Sequence, residues 1–274
     1  MMRMVADIIP HTADGCFELT IVSGAGLEYR LLFSEPEEPP PEAGYGIVFA
    51  LDGDATFRTL AETVRMQTRK PKGYEPIVVV GIGYPSRQPF DLERRCRDFT
   101  MLKEGATLPK RPDGREWPPH GEADRFLDFL EREVLAWAEK RWRLDPARRA
   151  IVGHSLGGLL VLHALFVRPR LFTHYVAGSP SVWWADQEVL NELEHFKRER
   201  RAGCSVRLLL AIGAEELEDM LEGVELVAER AAPLVGEGFG LEKVLFPGEE
   251  HTSVLPSLLS RVPKLLSTSG PRRD

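Results

Sequence analysis

Ala150-Ile151-Val152-Gly153-His154-Ser155-Leu156-Gly157-Gly158-Leu159-Leu160-Val161-Leu162 reads as a short buried strand, a Gly-x-Ser-x-Gly turn and an apolar helix. A turn that tight forces strand and helix together, so the residues two before and two after the serine must be small; Gly153, Gly157 and Gly158 meet that demand. It lifts the Ser155 hydroxyl above the sheet. It also sets the Leu156 N–H at the positive end of the following helix, where developing negative charge is stabilised. Ser155 is therefore the candidate nucleophile, the structural alternative being an idle serine in a Gly-rich turn. His154 is adjacent in sequence, but such a turn points it elsewhere.

A serine hydroxyl needs a base, and imidazole suits that exchange near neutral pH. His251 has the right context: it ends the loop Pro247-Gly248-Glu249-Glu250-His251 after an apolar run, beyond a strand's carboxyl end, where α/β folds assemble their sites. His11, His120, His163, His174 and His195 lack such a loop and read as surface or packing residues. The acid that orients the base should follow the preceding strand, at Gly213-Ala214-Glu215-Glu216. Both glutamates are candidates, with Glu216 preferred for its spacing of three from Gly213. The order Ser155, Glu, His251 agrees with the Ser…Asp/Glu…His order of the α/β-hydrolase fold.

The rest of the chain fits that fold class: a mostly parallel central sheet with helices on both faces and an antiparallel N-terminal edge. Continuous apolar runs at Gly46–Leu51, Ile77–Ile82, Ala150–Val152, His174–Gly178, Val206–Ile212 and Leu241–Phe246 read as strands buried on both faces. Cys16–Val22 and Leu27–Phe33 alternate around a Ser23-Gly24-Ala25-Gly26 turn and predict an opening antiparallel pair. Glu122–Trp142 carries a helical stripe at Phe126, Leu127, Leu130, Val134, Leu135 and Ala138. The Pro-rich stretch 35–42 predicts a surface loop, and residues 266–274 a frayed tail.

With 274 residues and 43% hydrophobic content, one domain spanning 1–274 is expected. A net charge of −7 excludes a surface that attracts nucleic acid or anionic lipid as a whole, so an anionic ligand would need a local basic patch. Cys16, Cys96 and Cys204 form no CxxC pair and read as reduced thiols. No apolar run reaches the roughly 18 residues of a membrane span, and the first residues lack a signal-peptide pattern. A cytoplasmic, soluble protein is the expectation; composition does not specify an oligomeric state.

Wider stretches resemble the putative-esterase family of α/β-hydrolases, specifically its ferric-siderophore esterase branch. They are Val48-Phe49-Ala50-Leu51-Asp52-Gly53-Asp54, Val80-Gly81-Ile82-Gly83-Tyr84, Arg95-Cys96-Arg97-Asp98-Phe99-Thr100, Phe126-Leu127-Asp128-Phe129-Leu130, the elbow itself, and Ser179-Pro180-Ser181-Val182-Trp183-Trp184. The resemblance implies hydrolysis of enterobactin- or bacillibactin-type trilactones. It implies that Asp54 offers a second oxyanion N–H beside Leu156. It further implies that Arg95 and Arg97, with Trp183 and Trp184, line the pocket against an anionic, aromatic iron-catecholate. An Arg95–Asp98 ion pair and a core role for the tryptophans are the structural alternatives. The region between Thr100 and Gly121, which includes Met101–Arg111, falls where members of the family vary.

The expected chemistry is two-step acyl transfer with no metal and no organic cofactor. The rivals are a short-chain carboxylesterase, an S-formylglutathione-type thioesterase, an acyltransferase and, from another class, a non-catalytic ligand-binding protein on the same fold.

Overall fold

The computed structural model describes residues 13, 15–71, 73–111, 113–199, 205–236 and 238–267. β1 (Cys16–Val22) pairs antiparallel with β2 (Glu28–Ser34), which pairs antiparallel with β4 (Ile77–Gly83). From β4 onward every pairing is parallel, through β3 (Tyr45–Ala50), β5 (Leu144–His154), β6 (His174–Gly178) and β7 (Val206–Gly213) to β8 (Phe239–Phe246). The spatial order is β1-β2-β4-β3-β5-β6-β7-β8. This is the α/β-hydrolase fold, with the antiparallel pair at one edge.

Burial follows position in the sheet. Every residue of β3, β4 and β6 is buried, which is why their sequences are unbroken apolar runs, whereas the edge strands β1 and β8 mix exposed and covered residues. Two cores result. On one face α1 (Gly53–Thr68) packs with α8 (Val254–Leu259) and α9 (Val262–Leu266). On the other lie α2 (Leu92–Phe99), α3 (Ala123–Phe129), α4 (Ala136–Arg141), α5 (Leu156–Val167), α6 (Trp184–Glu199) and α7 (Glu218–Ala231).

The helix expected over 122–142 contains a π-helical stretch, Leu130–Leu135, that joins α3 to α4. Phe126, Leu127, Leu130, Val134, Leu135 and Ala138 are all buried, so the apolar stripe is core packing. β5 is longer than its apolar centre because Leu144 also pairs with Tyr45, before a register shift. Leu266 is fully buried and the Ser267 hydroxyl donates to Glu75, so the chain is held to that point; residues 268–274 of the expected tail lie outside the described residues. Cys16 and Cys96 are free thiols, Cys96 fully buried, and Cys204 lies outside the described residues.

The chain leaves β3 through α1 toward one face and β5 through α5 toward the other. A crevice therefore opens beyond the carboxyl ends of β3 and β5, the place where such sheets bind ligands. Asp52-Gly53-Asp54 forms one lip of it and Ser155 the other.

Candidate active site

Ser155 occupies φ 61°, ψ −118°, a conformation that costs a non-glycine residue about 1–3 kcal/mol and persists only where its surroundings enforce it. Three backbone hydrogen bonds do so: Ser155 N–H donates to Gly178 O at 2.9 Å, and the Ser181 and Leu159 N–H groups donate to Ser155 O at 3.1 and 2.9 Å. A Cβ on Gly158 would stand 2.6 Å from the Gly178 carbonyl oxygen, so only glycine lets α5 start this close to β6. The Ser155 hydroxyl lies 3.4 Å from that of Ser181.

His251 Nδ1–H donates to Glu216 Oε2 at 2.6 Å. The other carboxylate oxygen, Oε1, accepts from the Ser179 hydroxyl at 2.5 Å and from Gly213 N–H at 3.1 Å. Burial would raise the Glu216 carboxyl, but the hydrogen bonds from His251, Ser179 and Gly213 outweigh it and hold the group below the usual glutamate range. Of the two glutamates left open by the sequence, Glu216 meets the imidazole; Glu215 is exposed, and its backbone N–H braces Glu249 O. The His251 ring lies 4.5 Å from that of His154, the neighbour of Ser155 in the elbow. Burial, then the adjacent His251, pushes His154 down to about 3, which keeps this ring neutral at working pH.

Two helix N-termini meet above the crevice. Leu156 is the first residue of α5, and Asp54 lies in the first turn of α1, so neither N–H has an acceptor inside its own helix. Asp52, ahead of α1, is left-handed at φ 51°. The Asp54 carboxylate turns away to Arg30 (2.6 Å) and Tyr84 N–H (3.4 Å), leaving its backbone as the group available to the crevice.

The arginines differ from expectation. Arg95 is buried, its Nε 2.7 Å from Asp52 Oδ1 and its Nη2 donating to His154 O at 3.1 Å; it is engaged within the protein and does not line a pocket wall. The expected Arg95–Asp98 pair is also replaced, because Asp98 faces Arg94 at 3.6 Å. Arg97 is partly exposed, 3.9 Å from Glu122. Trp184 is completely buried with its indole N–H on Met101 O, so it belongs to the core. Trp183 is half-buried, its ring 5.8 Å from Trp117. Trp117 was not anticipated: it lies in the variable segment, and Arg111 sits over its ring at 5.8 Å.

The remaining histidines stand apart from the reaction centre. His163 is buried between Glu192 and Asp124, His174 is buried beside Thr173, His120 packs on Trp184, and His195 is exposed. His11 lies outside the described residues. Among the described residues no group of three or more His, Cys, Asp or Glu side chains could hold a metal ion, and no helix is long and apolar enough to cross a membrane.

The family model described as "Putative esterase" matches residues 24–232. The chain belongs to that family. It is 42% identical over 252 residues to the ferri-bacillibactin esterase BesA of Bacillus subtilis, covering 89% of this chain and 86% of the relative. A siderophore triacetylfusarinine C esterase of Aspergillus fumigatus is 34% identical over 240 residues, covering 78% and 79%. Among solved structures, a BES protein from Bacillus cereus superposes with a TM-score of 0.88 at 32% identity, covering 96% of this chain and 99% of that one. By family and structural likeness this putative-esterase member is a serine carboxylic-ester hydrolase.

Proposed function

We propose that the chain hydrolyses the ester bonds of an iron-siderophore trilactone of the bacillibactin or enterobactin type, with Ser155 as nucleophile, His251 as general base and Glu216 as the acid that orients it. The observation that carries the catalytic part is the 2.6 Å bond from His251 Nδ1–H to Glu216, which fixes the tautomer and leaves Nε2 to take the serine proton. Ser155 adds to the ester carbonyl as that proton moves to His251. The Leu156 and Asp54 N–H groups hold the resulting oxyanion. The leaving alcohol takes the proton from His251, and water, activated by the same ring, releases the acid from the acyl-enzyme.

The substrate class is supported by the likeness to the bacillibactin esterase over most of both chains and by the half-buried Trp117–Trp183 pair, an aromatic surface of the kind that suits a catecholate; Arg111 beside Trp117 is paired with Asp113 and braces that segment. Ferri-bacillibactin, ferri-enterobactin, a ferric triacetylfusarinine, naphthyl acetate and S-formylglutathione should be compared by kcat/KM, with Ser155→Ala as control. Preference for a catecholate trilactone by about a hundredfold is expected, together with loss of turnover by several orders of magnitude in Ser155→Ala. Preference for the simple esters or the thioester would replace the substrate assignment. An unlabelled Ser155 after fluorophosphonate treatment would indicate a binding protein without turnover.

A further inference from the structure

Between the two lips of the crevice lies one buried cation. Arg95, on α2, is 7% exposed, with Nε 2.7 Å from Asp52 Oδ1 and Nη2 donating to His154 O at 3.1 Å. Asp52 is the left-handed residue from which α1 starts, so its position sets that of the Gly53 and Asp54 N–H groups. His154 directly precedes Ser155 and Leu156. A single guanidinium thus reaches both loops that carry the oxyanion donors, a span suited to its planar fork and not to the point charge of an ammonium.

The second oxygen of Asp52 faces the elbow, since a Cβ on Gly157 would lie 3.4 Å from Asp52 Oδ2. A carboxylate that is 3% exposed therefore sits against the first turn of α5, beside the place where reaction develops negative charge. Left alone, it would oppose that charge in a region of low dielectric. The rings of Phe90 and Phe99 lie 5.2 and 5.9 Å from the Arg95 guanidinium carbon and add apolar surface around it.

We propose that Arg95 is a positioning residue: it ties the N-terminus of α1 to the nucleophile turn and cancels the charge of Asp52, so that the Asp54 and Leu156 donors are aimed at one point before substrate arrives. This rests on the acyl-enzyme reading of Ser155. Donors contribute to the transition state only when they are already oriented, so slackening the tie weakens turnover more than binding.

The test uses Arg95→Gln, Arg95→Lys and the double variant Arg95→Gln/Asp52→Asn, assayed on p-nitrophenyl acetate with rates expressed per active site titrated by a fluorophosphonate. Arg95→Gln should lower kcat about 10- to 100-fold with KM changed less than about threefold, and should weaken binding of a trifluoromethyl ketone, which mimics the tetrahedral adduct, by the same factor as kcat/KM. Arg95→Lys, which keeps the charge but not the span, should remain at least about tenfold below wild type. The double variant should recover part of the kcat lost in Arg95→Gln, because no unpaired carboxylate then faces the oxyanion. Should Arg95→Gln not fold, Arg95→Lys and the double variant carry the same comparison. Wild-type kcat per active site, or a kcat loss without matching loss of ketone affinity, overturns the proposal. Should Ser155→Ala stay active, the acyl-enzyme reading fails; should Ser155→Ala be inactive and the Arg95 variants unimpaired, the role of Arg95 alone fails.

Discussion

Glu216 grips the His251 ring through Nδ1 at 2.6 Å, and it does so from a side chain with no solvent exposure while the ring itself is 43% exposed. The carboxylate is thus fixed by the protein interior, while the imidazole stands at the surface, open to solvent. Replacing Glu216 by Gln should keep the fold and lower kcat by about 10²- to 10⁴-fold, because an amide can present its N–H to Nδ1 and favour the wrong tautomer. Glu215→Gln should stay within about twofold of wild type. Equal effects from both would remove Glu216 from its role.

Ser179 supplies one of the hydrogen bonds that keep Glu216 ionised, and it does so from a left-handed backbone at φ 41°. Ser179→Ala should lower kcat about 10- to 150-fold and leave Ser155 reactive toward fluorophosphonate, since one hydrogen bond to a charged group contributes about 1.5–3 kcal/mol. Unchanged kcat would show that Gly213 and His251 suffice.

Gly213 ends β7 where the acid turn passes under the histidine loop, and a Cβ there would overlap the Glu249 carbonyl oxygen. Because that contact is backbone, the loop itself must move. Gly213→Ala should displace His251 and reduce kcat more than tenfold while costing about 1–3 kcal/mol of stability, as overpacking usually does. Chemical denaturation and steady-state kinetics on the same preparation would check it.

His163 should titrate far from the ordinary range. Burial alone would lower it, yet Asp124 and Glu192 raise it to about 9; Glu192 lies at 2.8 Å and Asp124, itself paired with Arg168, at 3.6 Å. The folded value exceeds the unfolded one, so the charged ring stabilises the fold fully below pH 6.5 and loses that effect as pH rises through about 9. After allowance for the exposed Asp124, the contribution is about 2 kcal/mol. His163→Gln should therefore cost stability at pH 6 and little at pH 10, and an NMR titration placing His163 below 6.5 would contradict the assignment.

The elbow was legible because its glycines are a local steric requirement, and β3, β4 and β6 because strands covered on both faces must be apolar throughout. The meeting of His251 with a glutamate of the 215–216 pair was legible because an acid turn and a histidine loop follow consecutive strands. Arg95 was misread for a physical reason: Asp98 is its neighbour along α2, whereas its true partner, Asp52, comes from the end of β3 and only the sheet brings them together. Trp184 was misread likewise, since an aromatic pair in sequence does not disclose which ring turns inward. Nothing local signalled Trp117, whose surroundings are set by contacts with Trp183 and Trp184.

Those contacts divide the molecule's labour. The described residues of 101–121 reach the body of the protein by attachments such as the tilted and edge-on packing of Trp117 on Trp183 and Trp184, the Thr107 N–H bond to Asp186 and the Lys103–Glu188 ion pair, and they contribute no strand to the sheet. Ser155, Glu216 and His251, the groups proposed to react, hang instead from β5, β7 and β8. Such an arrangement lets mutation reshape the rim for a bulkier or smaller cargo while the cleavage machinery beneath it stays in register, and it marks this rim as the place to begin when redirecting the enzyme to a different ester.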